Sequence, residues 1–574
     1  MEKLNSIYTK QRECQDCHKC IRECPVKAIR VEDGYARVVP ELCIMCGNCV
    51  LACPHSAKQV RDDLPDAKAL LTSGRRVIAS LAPSFVAQYS GIRPVQLIHA
   101  LKKLGFFAVS ETALGAQQVS ASSYALMHSE PKQIWISSAC PVVVDFIAKY
   151  HPECESHLSE VLSPLLSHCK MLREHYGNDI ATVFIGPCIA KKKEAEQHPE
   201  LLDVVLTFED LDRWLAEETI HLPEIDTTPE DRFQPQEAEE GALYPIDGGM
   251  VPGVAGNGET NSLRFMSFSG IANVEQALKS IPEWHPEHNI FFELTACAGS
   301  CVNGPKAARN APVARRRYDI LNYTKPGARL PRKLSLAITG HYDAAPVARA
   351  EYSELQLREA MRTVGKYSAE DELNCGGCGY DSCRDFARAL LDHNAERMMC
   401  ATYTRKLAQK KANALLRKMP SAVVIVNEDL KIIESNERFT RLFATDAGQS
   451  TDLEGSALSV VVPFSNLFKR VLESGKDIVG HDIRYQRNIL NTSIFTIERH
   501  TVLCGIFQDI TQPIFQKEQI IERAREVIQK NLNTVQQIAY LLGENAADSE
   551  ITLNSIVRSF SPEEADDNDA GEKP

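Results

Sequence analysis

The hydrophobic positions of this chain follow two regimes. From about Gly74 to His341, short β-branched apolar runs alternate with stretches whose apolar residues recur at helical spacing. The runs at 77–81, 134–136, 181–185 and 289–294 predict buried strands, and their alternation with helices predicts an α/β region with a largely parallel sheet. Beyond Pro420, which ends a basic helix at 405–417, the pattern changes to strand, turn and strand at 423–426 and 431–434. A helix start near Asn436 and Phe439 follows, then strands at 483–485, 493–498 and 501–507. After these, Ile521, Ala524, Ile528, Asn531, Val535, Ile538 and Leu542 keep an a/d heptad up to Gly543, with Asn531 as a register-setting polar insertion. That helix packs either on a second copy, giving a homodimer, or back on its own sheet; the dimer is the preferred expectation. A short helix at 554–560 and an acidic, disordered tail complete the chain.

Composition narrows the field. The 574 residues are 44% hydrophobic and 24% charged, an ordinary globular balance spread over several domains. No run of 18 apolar residues occurs, and residues 1–10 lack a secretory apolar stretch, so the expectation is a cytoplasmic protein without membrane spans. The net charge of −12 is concentrated. Residues 207–240 carry twelve acids and two arginines, and the tail at 562–574 carries six acids and one lysine. Nucleic acid is an unsuitable partner for such a chain. The one basic cluster, Arg315, Arg316, Arg317, Lys325, Arg329, Arg332 and Lys333, reads as a solvated or intramolecular face.

Nineteen cysteines in such a chain point to metal or redox chemistry rather than disulfides. Cys14-x2-Cys17-x2-Cys20-x3-Cys24-Pro25 is repeated as Cys43-x2-Cys46-x2-Cys49-x3-Cys53-Pro54. This is the run of bacterial two-cluster ferredoxins, in which the fourth cysteine of each copy serves the other cluster. One [4Fe-4S] cluster would take Cys14, Cys17, Cys20 and Cys53, and the second Cys43, Cys46, Cys49 and Cys24. Zinc uses the same donors and is the competing reading. A further set, Cys375-x2-Cys378-x4-Cys383-x16-Cys400, has glycines that let backbone approach a cluster and a helix at 385–399 that returns the last ligand. It resembles the small [4Fe-4S] domain of electron-transfer complex subunits and corrinoid proteins, with zinc again the alternative. Cys154, Cys169 and Cys504 read as buried small apolar residues.

In the central region three strands run into cysteines, at Ser137-Ser138-Ala139-Cys140-Pro141, at Pro187-Cys188-Ile189-Ala190-Lys191-Lys192-Lys193-Glu194, and at Glu293-Leu294-Thr295-Ala296-Cys297-Ala298-Gly299-Ser300-Cys301-Val302-Asn303-Gly304. These segments resemble, in order, the three motifs of the [FeFe]-hydrogenase large subunit, TSCCP, PCxxKxxE and ExxACxxGCxxG. The resemblance implies an H-cluster, a cubane joined to a diiron unit carrying CO, cyanide and an amine dithiolate. Cys140, Cys188, Cys297 and Cys301 would hold the cubane, and Cys301 would bridge to the diiron unit. Lys191 would bond a cyanide ligand; otherwise it is a solvated helix start. The sequence also departs from the family. Ala139 stands where the family has its proton-relay cysteine, Gly186 and Thr295 stand where it has methionines, and Ser163-Pro164-Leu165-Leu166 lacks a glutamine. A methyl group carries no proton, so slow turnover is expected.

The segment after Pro420 resembles a PAS domain in its asparagine–phenylalanine step and its closing Asp509-Ile510-Thr511. His481 or His500 could serve a haem or flavin there, but both read better as ordinary strand residues, and a PAS cofactor is not expected. The fold class is therefore multidomain α/β and α+β. The expected domains are a two-cluster ferredoxin fold at 1–65, a hydrogenase-like α/β core at 70–345 and a small helical 4Fe-4S domain at 355–405. A PAS domain at 410–512, a coiled-coil signalling helix at 513–545 and the tail at 546–574 follow. The function expected is that of a sensory [FeFe]-hydrogenase, which oxidises H2 slowly and passes the redox state to its PAS module. Its partners would be H2 and protons, ferredoxin-like electron carriers, hydrogenase maturation enzymes and a downstream signalling protein. A redox or iron–sulfur-status sensor without the diiron unit is the alternative; an ordinary catalytic hydrogenase fits neither Ala139 nor the PAS segment.

Overall fold

The computed structural model describes residues 5–511, apart from 130–133, 257–262, 286, 310, 328–329, 331, 334 and 444–452, together with 523–531 and 533. They fall into two compact units, 1–396 and 397–574.

The first unit opens with four short strands, β1 (Ile7–Thr9), β2 (Ile29–Glu32), β3 (Tyr35–Val38) and β4 (Lys58–Val60). β1 pairs with β4 and β2 with β3, both antiparallel. The α/β region follows as β5 (Arg76–Leu81), β6 (Ala108–Glu111), β7 (Ile134–Ile136), β8 (Ile180–Gly186), β9 (Val204–Thr207), β10 (Leu263–Ser269) and β11 (Asn289–Thr295). All are parallel, as the unbroken apolar runs require, but they form two sheets rather than one: β6-β5-β8-β9 and β10-β11-β7. Runs buried on both faces announce a parallel strand without naming its neighbour, which is why the division was not legible.

The larger sheet is buried between helices. Leu97 and Leu101 of the helix Pro94–Lys103, Leu165 of Pro164–Tyr176, and Leu211 and Trp214 of Phe208–Glu217 pack around it. His168, fully buried, bonds to the hydroxyls of Ser80 (2.8 Å) and Ser110 (2.9 Å), tying the helix Pro164–Tyr176 to β5 and β6. Burial pushes its imidazole down to about 3, so it stays neutral. The smaller sheet packs Trp135 and Phe291 against Val119 and Met127 of the helix Ala113–Ser129. Buried Lys192 bonds Asp63 (2.8 Å) and the Val205 carbonyl (2.8 Å), and so anchors the end of the cysteine-rich segment to the core.

Most of the basic cluster is paired within the chain, while Lys333 is exposed. Arg317 pairs with Asp247, Arg315 with Asp319, Lys325 with Glu237, and Arg332 with Glu239 and Glu240. Part of the acidic segment is thereby neutralised at home.

In the second unit, β12 (Ala422–Val426), β13 (Ile432–Ser435), β14 (Ile478–Tyr485), β15 (Asn488–Glu498) and β16 (Val502–Asp509) form one antiparallel sheet in the order β13-β12-β16-β15-β14. Phe439, Phe443, Phe464, Phe468 and Phe507 fill its inner face. Asn436 accepts from the Val423 and Phe439 amides and donates to the Leu416 and Ser421 carbonyls, which sets the turn after β13. His481 and His500 are exposed. Of the heptad positions, Ala524, Ile528 and Asn531 lie in the helical stretch 523–531. The rest of the expected signalling helix, the short helix at 554–560 and the acidic tail lie outside the described residues. No helix among those described is long and apolar enough to cross a membrane.

Candidate iron–sulfur and H-cluster sites

The ferredoxin-like segment encloses two cavities, each lined by one of the expected cysteine quartets. Cys14, Cys17, Cys20 and Cys53 line one cavity together with His18, His55 and Lys58. Cys24, Cys43, Cys46 and Cys49 line the other together with Ile29, Ile44 and Gly47. The exchange of the fourth cysteine between the two copies is thus present in the folded chain. Among the described residues no three His, Cys, Asp or Glu side chains close to a single ion's spacing. The quartets surround open space, and soft anionic sulfur is the donor that iron–sulfur clusters take. Burial pushes the thiols up, Cys20 and Cys43 to about 11 and Cys46 to about 12.

The core cysteines come from both sheets. β7 leads through Ser137 and Ser138 to Cys140, the residue before the helix Pro141–Tyr150, whose first position proline fixes. β8 ends at Gly186, two residues before Cys188, and the helix Lys191–Gln197 follows. β11 ends at Thr295, and Cys297 and Cys301 lie on the turn beyond it. Cys188 lies near enough to Cys140 for their charges to interact, and so does Cys297 to Cys140, Cys188 and Cys301. Sequence segments far apart therefore converge at the carboxyl ends of parallel strands, where α/β folds place ligands. Burial, then the neighbouring sulfurs, pushes the Cys297 and Cys301 thiols far up. Four desolvated sulfurs suit a cluster cation better than four free thiols.

Lys191 is no solvated helix start. It is 8% exposed, and its Nζ bonds the Ser163 hydroxyl (3.1 Å) and the Glu194 carboxylate (2.7 Å). Burial alone would push its ammonium down, but Glu194 and then Cys188 outweigh that and hold it up. The site therefore contains a fixed positive charge beside Cys188 and Cys140. Ser163 opens the Ser163-Pro164-Leu165-Leu166 segment, but its bond to Lys191 joins residues 28 apart and leaves no local signal.

Ser300, at a positive φ of 63°, is held by its hydroxyl, which donates to Asp247 (2.8 Å) and meets the Thr295 hydroxyl at 2.9 Å. A methionine at 295 could not make that bond. Glu293 was also missed as a side chain of interest. It is 2% exposed, accepts from the Ser267 hydroxyl (3.1 Å) through Oε2, and its Oε1 has no hydrogen-bond partner. Burial pushes its carboxyl up to about 7, and its charge reaches Cys301. Ala139 instead packs on the apolar cluster of Val119, Met127, Trp135 and Val161. Glu293 opens the segment compared with the motif ExxACxxGCxxG, but only its burial marks the side chain as a titrating group.

Gly186 has a steric reason of its own. A Cβ there would stand 2.5 Å from Phe184 Cζ and 2.7 Å from Ala82 Cβ. Gly186→Met should therefore lower the thermal unfolding midpoint by several degrees, and adding Phe184→Ala should recover most of the loss.

The two groups of sites are joined. The charges of Cys46 and Cys297 interact, and a Cβ on Gly47 would lie 2.6 Å from Pro305 Cβ, so those loops touch. From the far end of the helix Pro141–Tyr150, Lys149 donates to the Cys43 carbonyl (2.8 Å) and Tyr150 to the Leu42 carbonyl (2.6 Å). The loop with Cys375, Cys378 and Cys383 lies on the other side. Arg22 and Lys27 donate to the carbonyls of Gly377 and Gly379, and a Cβ on Gly379 would meet Ile21 at 2.9 Å. The helix expected at 385–399 is shorter, Cys383–Leu391, followed by a single turn at Arg397–Met399. Cys400 belongs to the second unit, where it precedes the helix Ala401–Lys418.

The cysteine-bearing segments lie within regions that match known families. Residues 75–305 match the family model "Iron only hydrogenase large subunit, C-terminal domain", residues 6–54 the "4Fe-4S dicluster domain", and residues 371–413 an Fe-S cluster family. Iron hydrogenase 1 of Clostridium pasteurianum is 22% identical over 294 residues, 41% of this chain and half the length of that relative. The periplasmic [Fe] hydrogenase large subunit of Nitratidesulfovibrio vulgaris is 24% identical over 368 residues, 53% of this chain and 86% of its own. Among solved structures, [FeFe]-hydrogenase HydA1 from Chlamydomonas reinhardtii aligns over 50% of this chain and 100% of its own, with 18% identity and a TM-score of 0.40. The PAS domain of nitrogen regulation protein NR(II) from Vibrio parahaemolyticus aligns over 17% of this chain and 97% of its own, with 22% identity and a TM-score of 0.15. The chain is a hydrogenase-like iron–sulfur protein, related to the iron-only hydrogenases through residues 75–305 and carrying iron–sulfur modules on either side of that region.

Proposed function

We propose that this chain is a sensory [FeFe]-hydrogenase that binds and slowly oxidises H2 and passes its redox state through iron–sulfur clusters to a PAS-type output module. The observation that carries this reading is Lys191, a buried ammonium held by Ser163 and Glu194 beside Cys188 and Cys140. Such a held cation suits an anionic diatomic ligand, which accepts a charge-assisted hydrogen bond. Cys140, Cys188, Cys297 and Cys301 would hold the cubane, with Cys301 bridging to the diiron unit. When bound, the H-cluster supplies the heterolytic splitting of H2 and takes up the electrons.

The chain's own residues would do the rest. Glu293 holds or releases a proton at Oε1, the buried oxygen left without a partner. Ser300, fixed by Asp247 and Thr295, keeps the turn that presents Cys301 in one shape. The Cys24, Cys43, Cys46 and Cys49 quartet, nearest the site, would receive electrons first, with the Cys14, Cys17, Cys20 and Cys53 quartet beyond it and ferredoxin-like carriers as outside partners. The aromatic-filled sheet of the second unit would carry the response to a signalling partner, with the heptad helix as dimer contact.

A second reading, a redox or iron–sulfur-status sensor with cubanes only, is favoured by the Phe184 ring that fills the space beside Gly186. An anaerobic infrared spectrum of the chain loaded with clusters and the diiron precursor separates the two. Sharp CO and cyanide bands that shift between argon and H2 are expected. Normal cubane loading without those bands would overturn the hydrogenase reading.

A further inference from the structure

The two cysteine repeats of the ferredoxin-like segment align in sequence without a gap, and one of their differences falls at a cavity wall. Cys24-Pro25-Val26-Lys27-Ala28-Ile29 answers to Cys53-Pro54-His55-Ser56-Ala57-Lys58. The correspondence is structural as well, since the amide of Ala28 donates to Cys24 Sγ and that of Ala57 to Cys53 Sγ, both at 3.2 Å. The next residue lines a cavity in each half. Ile29, 1% exposed, lines the cavity of Cys24, Cys43, Cys46 and Cys49; Lys58, 3% exposed, lines that of Cys14, Cys17, Cys20 and Cys53.

Lys58 is a held charge. Its Nζ donates to Thr9 Oγ1 (2.7 Å) and to the Ala36 carbonyl (2.6 Å), two neutral acceptors. At Cys20 its charge is the strongest influence after burial; at Cys49, in the other quartet, it comes after burial and the three neighbouring sulfurs. Other charges lie nearby but closer to solvent. Asp16, at the rim of the same cavity, stands 3.1 Å from His18. Beside the second quartet, Lys27 faces Asp381 at 3.4 Å and Lys149 feels Asp145. A cation shut away from water acts more strongly than these, because screening fails inside the protein.

We propose that Lys58 raises the reduction potential of the cubane held by Cys14, Cys17, Cys20 and Cys53 above that of its twin, so that an electron on the pair rests there. The inference stands on the cysteine quartets as cluster sites and is independent of H2 chemistry. The step is a one-electron transfer. The cubane at Cys24, Cys43, Cys46 and Cys49 passes from its 1+ to its 2+ state while the other passes from 2+ to 1+; no bond changes and no proton moves. Dithionite supplies the electron in the test, and H2 oxidation supplies it under the proposed function. Since the second quartet abuts the core site through Cys46 and Gly47, the favoured resting place is the outer one.

The test is an EPR-monitored redox titration of the full chain loaded with [4Fe-4S] clusters but no diiron precursor. Cys17→Ser and Cys46→Ser mark which signal belongs to which cubane. Lys58→Ile, the residue the other half already uses, should disfavour reduction of the Cys17-marked cubane about tenfold relative to its twin, about 59 mV for one electron. Lys58→Arg should keep the native order. If Lys58→Ile loads poorly, Lys58→Met removes the charge while keeping the length. Unchanged potentials in the uncharged variants, or a larger shift at the Cys46-marked cubane, would overturn the assignment. An absence of CO and cyanide bands in the infrared experiment would leave it standing.

Discussion

Replacing Glu293 by Gln is expected to lower the H2 turnover of the fully loaded chain about 100-fold, the usual contribution of a positioned proton-transfer group. The amide keeps the shape and the bond with Ser267 but cannot exchange a proton. Burial raises the native carboxyl to about 7, which sets the sign of the pH dependence. Above that pH the group is a carboxylate and accepts the proton released by H2, so oxidation should rise as pH passes through 7. Evolution needs the acid form and should fall over the same interval. Both inflections should vanish in Glu293→Gln while the CO and cyanide bands remain. Ala139→Cys should change turnover less than about tenfold. Its thiol would stand where Ala139 packs against an apolar cluster, with the Ser137 hydroxyl bonded to the backbone beside it. A large gain from Ala139→Cys alone would place the proton route elsewhere.

Lys191→Met is expected to abolish the CO and cyanide bands while leaving the cubane iron in place. The substitution removes the cation beside Cys188 and strands Glu194, which is 7% exposed and paired with Lys191 at 2.7 Å. Breaking such a pair costs about 3 kcal/mol, because the remaining charge stays buried. The double variant Lys191→Met with Glu194→Gln removes both charges and should recover most of the stability. It should not recover the bands, and this separates a fold defect from a loss of the anchoring charge. Measured iron per chain and infrared spectra decide the matter. Bands of native intensity in Lys191→Met would mean that the lysine serves only the fold.

What the sequence disclosed and what it concealed differ in kind. The cysteine quartets were legible because cluster ligands must return at short fixed intervals, so their geometry is written locally. The strands carrying Cys140, Cys188 and Cys297 were legible because doubly buried parallel strands need unbroken apolar runs. Lys191 could be placed only as far as its motif, since its burial depends on Ser163 and Glu194 folding over it. Glu293, Ser163 and Ser300 stand in segments that the family resemblance already marked, but their bonds to Ser267, Lys191 and Asp247 join separate segments and are not written locally. Lys58 is an intermediate case. Laying the two cysteine repeats on each other marks it at once, but only the cavities show that its side chain and that of Ile29 face equivalent spaces. The division of the strands into two sheets depends on partner choice, which periodicity does not encode.

The helix Pro141–Tyr150 works as a ruler. It begins directly after Cys140 and ends on Lys149 and Tyr150, whose bonds to Cys43 and Leu42 hold the nearer quartet. Ten residues of α-helix span about 15 Å, and this length, together with the direct contact of the Gly47 and Pro305 loops, keeps the two sulfur-lined sites in step. One residue added to the helix would displace its far end by about 1.5 Å and swing it through about 100°, detaching both anchors at once. Under the proposed function, the interval an electron would cross is therefore set in part by a count of residues.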